Sequence, residues 1–382
     1  MTELIGLASL ARTAFGGEDL SPLRELLLDR VAENDNDANA LLDLSTVLQL
    51  MGNRDCGLSL QALALAIRQL YQSPCHETAQ IRLLAILSPG DLAENNALEF
   101  LVEGSDIALD LLYVSPDLPF PEVLPDHDLA IVAICESDRN RPLLEHIESL
   151  RKSWPRPMLC PAAKIARLSR DGASALLRWA PGIVMPVTLR IDRHSLEGIA
   201  GFPITVRPVD SHKGQGLKKL DNPDAIPAYL AERPESEFYI APYVDFRSLD
   251  SQFRKYRIVM IQGRPYACHM AVSANWIVHY LSSDMTGSAE KRAEEAKFFA
   301  DFDTAFARRH HAALLEIATR VELEYFGIDC GETADGNLLV FEIDSGMTVH
   351  AMDPIDIFPY KQPQMRKVFK AFRQMLLDSR IV

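Results

Sequence analysis

The stretch GNLLVFEID, residues 336–344, is an apolar strand that ends in two carboxylates. Side chains alternate between the two faces of a strand, so Glu342 and Asp344 are expected on one face. Two carboxylates held together in a half-buried place repel each other unless a cation lies between them. A strand end at the surface would carry both at little cost. The stretch alone therefore leaves two interpretations open, a metal site or a solvated strand end.

Length and composition indicate a globular chain of two or three domains, with 382 residues, of which 48% are hydrophobic and 24% charged. The formal net charge of −14 disfavours a non-specific hold on nucleic acid or an anionic membrane. The six cysteines have no metal-like spacing, and we see no secretion signal and no apolar run of about 20 residues. We therefore expect a soluble, cytoplasmic protein without a nucleic-acid or membrane partner. The sequence leaves a homodimer open.

The apolar pattern divides the chain into three predicted domains. Residues 1–95 have helical periodicity and predict an N-terminal all-α helical cap, with a peptide-binding helical repeat as the alternative. Residues 96–190 alternate strands with a helix, which is typical of a parallel α/β layer. Residues 191–382 mix strands and helices, with predicted hairpin turns at 262–263 and 335–336, and indicate an α+β domain. No G-x-G-x-x-G follows the first strand, so a dinucleotide site is unsupported.

A glycine-containing loop follows the strand that ends at Arg207. It carries Ser211, Lys213, Gly214 and Gly216. Glycines let backbone N–H groups approach an anion closely, and nearby cations offset its charge. The loop is not a Walker A motif, because no Gly-Lys-Ser/Thr ends it. A plain glycine turn between strands is an equally good interpretation.

A second motif begins with the apolar segment 238–244, which leads to Asp245. About ten residues later Arg254, Lys255 and Arg257 cluster at the start of a strand. This order suits a flat apolar slot for a base, a carboxylate for ribose hydroxyls and arginine for phosphate oxygens. The alternative is an edge strand with a solvated run of charges.

The third motif is the hairpin formed by GIDCG and the apolar strand described above. It offers Asp329 on one strand and the two carboxylates Glu342 and Asp344 on the next. Three carboxylates that converge across a hairpin suit Mg²⁺, which takes hard oxygen ligands and leaves the remaining positions to water and phosphates.

Together the three motifs resemble the ATP-grasp superfamily, and its glutathione synthetase and RimK-like branch of carboxylate–amine ligases in particular, over roughly residues 105–355. The resemblance implies an α+β ATP-grasp fold preceded by an α/β pre-ATP-grasp domain, with ATP and one or two Mg²⁺ ions, for which Mn²⁺ would substitute. The implied metal ligands are Asp329, Glu342 and Asp344. The implied catalytic residues are Arg257, Arg207 and His269. The implied nucleotide-binding residues are Arg170, Arg207, Ser211, Lys213, Gly214, Gly216, Ala241, Tyr243, Val244, Asp245 and Arg257, with Asp245 as the ribose partner.

The chain departs from the family pattern at three positions. The family usually has lysine where this chain has Arg207, and a second lysine where it has Arg170. Arginine keeps the charge and binds phosphate through its planar fork, so we expect nucleotide binding to survive. The third metal ligand is commonly asparagine, and Asp344 adds a negative charge that should strengthen metal binding.

The resemblance implies a ligase that phosphorylates a carboxylate with ATP and then lets an amine displace phosphate. The acceptor would be an amino acid, a small peptide or a peptide tail. Candidate substrate residues lie after the arginine strand and after the metal strand: Asn275, His279, Tyr280, Ser345, Gly346 and His350. For His269, His279 and His350 a structural role is an equally good interpretation. Two other functions stay open, a kinase that stops at phosphoryl transfer to a hydroxyl and a nucleotide-binding regulator that has lost its chemistry.

Overall fold

The computed structural model describes residues 3–75, 78–211 and 214–380. The N-terminal part of the described chain contains four helices. Its helices are Leu7–Phe15 (α1), Ser21–Glu33 (α2), Ala38–Leu50 (α3) and Arg54–Ile67 (α4). The side chain of Asp37 caps α3 by accepting a hydrogen bond from the N–H of Ala40 at 3.0 Å. Beyond the end of α3, Gly52 has φ 85°, a conformation that favours glycine.

A five-stranded sheet follows, in the order β1-β3-β2-β4-β5, parallel except for the first strand. Its strands are Leu70–Gln72 (β1), Ile81–Leu87 (β2), Ile107–Tyr113 (β3), Leu129–Val132 (β4) and Met158–Leu159 (β5). The helices of this part are Glu99–Val102 (α5), Arg141–Arg151 (α6), Ala162–Ile165 (α7) and Arg170–Leu177 (α8). A further strand, Ile183–Val184 (β6), joins a different sheet.

A small antiparallel sheet comes next, in the order β7-β10-β8-β9. Its strands are Leu189–Asp192 (β7), Ile204–Pro208 (β8), Lys218–Leu220 (β9) and Glu237–Pro242 (β10), and the helix Ile226–Ala231 (α9) packs on it. This sheet has a core of its own, built around Val206, Tyr229 and Phe238.

The third sheet has the order β12-β11-β13-β14-β6 and is antiparallel except at its last pair. Its other strands are Phe253–Ile261 (β11), Arg264–Ser273 (β12), Tyr325–Glu332 (β13) and Leu338–Asp344 (β14). The remaining helices are Ala289–Asp301 (α10), Phe306–Arg309 (α11), His311–Val321 (α12) and Lys361–Ser379 (α13). Both predicted hairpins are confirmed, with positive φ at Gln262, Gly263 and Gly336.

Two sheets cross the predicted domain limits. Strand β2 lies within residues 1–95 yet pairs with β3 and β4, so the helical part ends before Leu70 and the prediction of helices to about residue 90 is wrong. The run IRLLAIL is apolar throughout because a parallel strand is buried on both faces, and such a run has no helical or strand period to read. Strand β6 likewise precedes residue 190 but pairs with β14. In the described ranges no helix is long and apolar enough to cross a membrane.

Candidate functional site

A cavity of about 220 Å³ lies between the small antiparallel sheet and the third sheet. Strands β8 and β10 supply one wall, and β13 and β14 supply the other. Many of the residues that the sequence predicts for the nucleotide and the metal line this cavity: Arg170, Arg207, Gly214, Ala241, Tyr243, Val244, Asp329 and Glu342. His279, predicted for the substrate, lines it as well. We call this space the first cavity.

One end of the first cavity is apolar and aromatic. The rings of Tyr243 and Trp276 meet edge to face, with centroids 5.5 Å apart and an interplanar angle of 87°. The Lys219 ammonium lies 4.5 Å from the centroid of the Tyr243 ring. Met185 and Phe341 extend the apolar wall. A flat aromatic base fits such a slot. Trp276, which follows β12, is a wall residue that the strand pattern alone does not reveal.

The other end of the first cavity is cationic, with Arg170, Arg207 and Lys255 in its wall. Arg207 is buried, and its Nε donates to Ser211 Oγ at 3.0 Å. Burial, together with the positive charge of Arg170, lowers the pKa of Arg207 to about 9. Two guanidinium groups and one ammonium group in the wall of one cavity favour an anion of high charge.

Asp329 is the most strongly paired carboxylate of the site. Only 3% exposed, it accepts from Lys255 Nζ at 2.9 Å and from Arg257 Nε at 2.8 Å. Burial alone would raise the pKa of this carboxyl, but the positive charges of Arg257 and Lys255 outweigh burial and hold the pKa well below its usual range. The sequence places Lys255 near a phosphate site but does not reveal this pairing.

Glu342 faces Asp329 directly across the hairpin, as strand alternation predicts. Its Oε1 accepts from Arg170 Nη2 at 2.6 Å. Burial would raise the pKa of Glu342, whereas the charge of Arg170 lowers it, and the net direction is down. The two carboxylates offer hard oxygens at the wall of one cavity, so in position and chemistry this pair fits Mg²⁺.

Asp344 does not line the first cavity, but it shares a neighbouring cavity with Glu342. It pairs in the sheet with Gly327, its Oδ1 accepts from the N–H of Gly346 at 2.8 Å, and it lines a neighbouring cavity of about 50 Å³ that also contains Ser211. Within the ranges that the structure describes, no group of three His, Cys, Asp or Glu side chains is arranged to hold a metal ion. The fit to a metal therefore rests on Asp329 and Glu342, and the third ligand stays a prediction.

The glycine loop needs both of its glycines. Gly214 has φ 73°, and a Cβ there would lie 2.7 Å from His279 Nε2. Gly216 has φ 66°, and a Cβ there would lie 2.6 Å from Pro208 Cδ. Side chains at either position would clash in a conformation that already favours glycine. Lys213, predicted to close over the phosphates, lies outside the described residues.

Asp245, predicted as the ribose partner, is not among the residues that line the first cavity. It forms an exposed ion pair with Arg247, whose Nε donates to Asp245 Oδ1 at 3.0 Å and to Oδ2 at 2.9 Å. The arginine pairing lowers the pKa of Asp245. Its ribose role stays a prediction.

Four residues predicted for catalysis or substrate line a second cavity of about 180 Å³: Arg257, His269, Tyr280 and His350. Since Asp329 lines the first cavity and is ion-paired to Arg257, this pair lies between the two spaces. Burial, followed by the charge of Arg257, lowers the pKa of His269 well below its ordinary range, so its imidazole is neutral at neutral pH.

The other predicted substrate residues are placed differently. Asn275 is exposed and lines neither cavity. The backbone N–H of Gly346 is already bonded to Asp344, and the carbonyl of Ser345 accepts from Asn96 Nδ2 at 2.7 Å. A Cβ at Gly346 would lie 2.0 Å from Cys135 Sγ, so this turn packs against the first sheet. The structure gives no support for a carboxylate nest at residues 345–346.

No family model matches the chain, and no curated protein matches it. Solved structures that are similar to it include the following three. A RimK-domain ATP-grasp protein from Sphaerobacter thermophilus DSM 20745 has a TM-score of 0.47 at 16% identity and covers 78% of this chain and 100% of its own. The VanG D-Ala:D-Ser ligase from Enterococcus faecalis has 0.46 at 14%, with 79% and 98% covered. The D-alanyl-alanine synthetase A from Vibrio cholerae O1 biovar eltor str. N16961 has 0.48 at 14%, with 80% and 99% covered.

These three structures are of an ATP-grasp protein and two ligases. At such identities and TM-scores, however, the likeness by itself carries no function to this chain. We therefore base the function on the geometry of the site.

Proposed function

We propose that this chain is an ATP-dependent carboxylate–amine ligase of the ATP-grasp type. The observation that carries the proposal is the first cavity, which joins an aromatic slot to a cluster of cations and a pair of facing carboxylates. A base, a polyphosphate and a divalent cation require these three environments in this order. A surface run of charges would not place them in one buried space.

The nucleotide would lie with its base against the wall residues Tyr243 and Trp276 and its phosphates toward Arg170, Arg207 and Lys255. Bound at Asp329 and Glu342, Mg²⁺ would neutralise phosphate charge and polarise the transferred phosphoryl group. Transfer of a phosphoryl group depends on positioning and charge neutralisation, so the chain needs no nucleophile of its own.

Two steps would give the amide. In the first, a carboxylate oxygen of the substrate attacks the γ-phosphorus of ATP, the bond from that phosphorus to the β–γ bridging oxygen breaks, and ADP leaves with an acyl phosphate remaining. In the second, an amine attacks the acyl carbon, the carbon–oxygen bond to phosphate breaks, and phosphate and a proton are released. ATP, acid and amine thus become amide, ADP and phosphate.

Arg257 would serve both steps. Its Nε and Nη2 bond Asp329, while its Nη1 points toward the carbonyl of Thr348 at 3.4 Å in the second cavity. A fixed guanidinium at this boundary would stabilise the charge that develops on the transferred phosphoryl group and on the acyl phosphate. His269 pairs with Arg257 in the sheet register and, being neutral, would act through hydrogen bonding.

The first test is calorimetric titration of the full chain with a non-hydrolysable ATP analogue, with and without Mg²⁺. We expect Mg²⁺-dependent binding that Glu342→Gln weakens about tenfold or more, because the substitution removes a charged oxygen ligand. Glu316→Gln is the matched control, since Glu316 is paired with an arginine on the surface of α12 and lines neither cavity. Absence of binding under both conditions would contradict the proposal.

A second measurement separates the ligase from its alternatives. Phosphate release that requires both an acid and an amine supports the ligase. ADP formation with a phosphorylated hydroxyl product would indicate the kinase, and binding without turnover of any acid and amine pair would indicate the regulator.

A further inference from the structure

The second cavity takes one wall from the N-terminal helical part. Phe15, the last residue of α1, lines it together with Leu281, Val349 and Met365. The Phe15 ring lies 5.3 Å from the His350 ring, centroid to centroid. The helical part therefore reaches a space that borders the predicted catalytic residues, which gives it a role that its sequence does not disclose.

The opposite wall presents hydrogen-bond donors that lack good partners among the described residues. His269 Nε2 is buried without a hydrogen-bond partner. The contact of Arg257 Nη1 with the Thr348 carbonyl is long, at 3.4 Å. In His350, Nδ1 accepts from the N–H of Met352 at 3.2 Å, which places the ring proton on Nε2. A buried polar atom without a partner is costly, so His269 Nε2, with the more exposed Arg257 Nη1 beside it, favours a ligand that brings acceptor atoms.

The charges around the cavity point to an anionic group. Lys361 is tied to Asp353 at 2.9 Å and lies 3.6 Å from Glu295, with its ammonium 4.0 Å from the centroid of the Tyr280 ring. Asp353, the carboxylate in the cavity wall, is thus already neutralised. No described carboxylate of the wall remains to receive a cationic ligand head, whereas Arg257 Nη1 and His269 Nε2 can both donate.

We propose that the second cavity binds the acid substrate, a small carboxylic acid with a compact apolar tail, of the size of a branched aliphatic amino acid. Its carboxylate lies at Arg257 and His269, next to the phosphate end of the first cavity, and its tail lies against Phe15. A volume of about 180 Å³ is below the roughly 300 Å³ at which pockets for drug-sized ligands begin, so long tails are excluded. This inference rests on the proposed ligase and names the acid that it would take.

Ligand-observed NMR with the full chain and matched probes tests the inference. Isovalerate and isobutylamine share one branched tail and differ in the charge of the head group, while phenylacetate has the same head and a larger tail. We expect isovalerate to bind and isobutylamine not to bind. Phe15→Ala should weaken the binding of isovalerate about tenfold and strengthen the binding of phenylacetate, since it removes the side chain that limits the size of the tail. His269→Phe should abolish binding of both acids.

Leu28→Ala is the control for the helical part, because Leu28 is a half-exposed apolar residue of the neighbouring helix α2 that lines neither cavity. It should leave both acids unchanged. Equal binding of amine and acid, no binding of isovalerate, or equal effects of Phe15→Ala and Leu28→Ala would overturn the inference. Titration of each variant with the ATP analogue separates the two proposals: lost acid binding with intact nucleotide binding refutes only the acid site, and acid binding in a chain that binds no nucleotide refutes only the ligase.

Discussion

Two regions of the molecule bury carboxylates, and they do so in opposite ways. Around the start of α1, Asp43 accepts from the N–H groups of Ile5 and Gly6 at 2.8 and 3.0 Å, and Glu99 of α5 accepts from that of Leu7 at 2.9 Å. Burial raises the pKa of Asp43 to about 6 and that of Glu99 to about 7. In the candidate active site, Asp329 and Glu342 are bonded to cations, which more than offset burial and lower both pKa values.

The difference separates a structural carboxylate from a functional one. Asp43 and Glu99 satisfy N–H groups at the start of α1, which have no partner within the helix, and the protonated and the charged carboxyl can both do so. The partners of Asp329 are side-chain cations that a phosphate can also attract. Under the proposed function, a polyphosphate would draw Lys255 toward it and leave the carboxylate available to a divalent cation. The ion pairs of Asp329 would then be exchanged for contacts with the ligand.

The largest effect is expected at Asp329. Asp329→Asn keeps the shape but leaves Lys255 and Arg257 as buried cations without a charged partner, and the loss of one member of a buried ion pair costs about 3–5 kcal/mol of unfolding free energy. The variant should also show no turnover. Urea denaturation at neutral pH measures the first effect, and a phosphate-release assay measures the second.

A matched substitution sharpens this comparison. Lys255→Met in the Asp329→Asn background removes one of the two cations that have lost their charged partner. We expect it to restore part of the stability but none of the turnover. Wild-type stability in Asp329→Asn alone would mean that the ion pairs contribute nothing, and the contrast between the two regions would fail.

The next effect is a dependence of the free energy of unfolding on pH. It originates at Glu99, which accepts a hydrogen bond from the N–H of Leu7 at the start of α1. Because the folded pKa of Glu99 is raised to about 7 from an ordinary value of about 4.3, the folded state binds more protons than the unfolded state between these values. The stabilisation is complete below about pH 4.3 and is lost as the pH rises through 7. The loss is on the order of 3 kcal/mol for this residue.

Glu99→Gln imitates the protonated form and should remove this share of the dependence, so that the variant is more stable than the parent chain at pH 8. Denaturation midpoints at pH 5, 6.5 and 8 measure it. The pH dependence caused by Asp329 has the opposite sign. Its contribution to the free energy of unfolding is present above its ordinary pKa of about 3.9 and is lost only in more acidic solution. A Glu99→Gln chain that keeps the full slope from pH 5 to 8 would show that other groups cause it.

Local signals explain what the sequence predicts well. The hairpins at Gly263 and Gly336 follow from turn residues, and the facing pair Asp329 and Glu342 follows from strand alternation. The partners of these carboxylates lie far away in the chain, so their pairing depends on tertiary packing that no local pattern encodes. Phe15 of α1 is the clearest case, since it contacts His350 across more than 300 residues.

The smallest effect is expected at Asp245, a carboxylate with an arginine partner but no burial. In the described structure Asp245 and Arg247 have 42% and 56% of their side chains exposed, and such surface pairs contribute about 0–1 kcal/mol. Asp245→Asn should therefore change stability by less than about 0.5 kcal/mol.

Because Asp245 does not line the first cavity, we also expect the affinity for an ATP analogue to stay within about twofold, against about tenfold for Glu342→Gln. Parallel titrations of the two variants compare them directly. A tenfold loss in Asp245→Asn would support the ribose contact predicted from the sequence, and it would require Asp245 to leave Arg247 and turn into the cavity when nucleotide binds. The relevant difference would then no longer be whether a carboxylate is buried or exposed. It would be whether the carboxylate keeps its cation partner or loses that partner when the ligand binds.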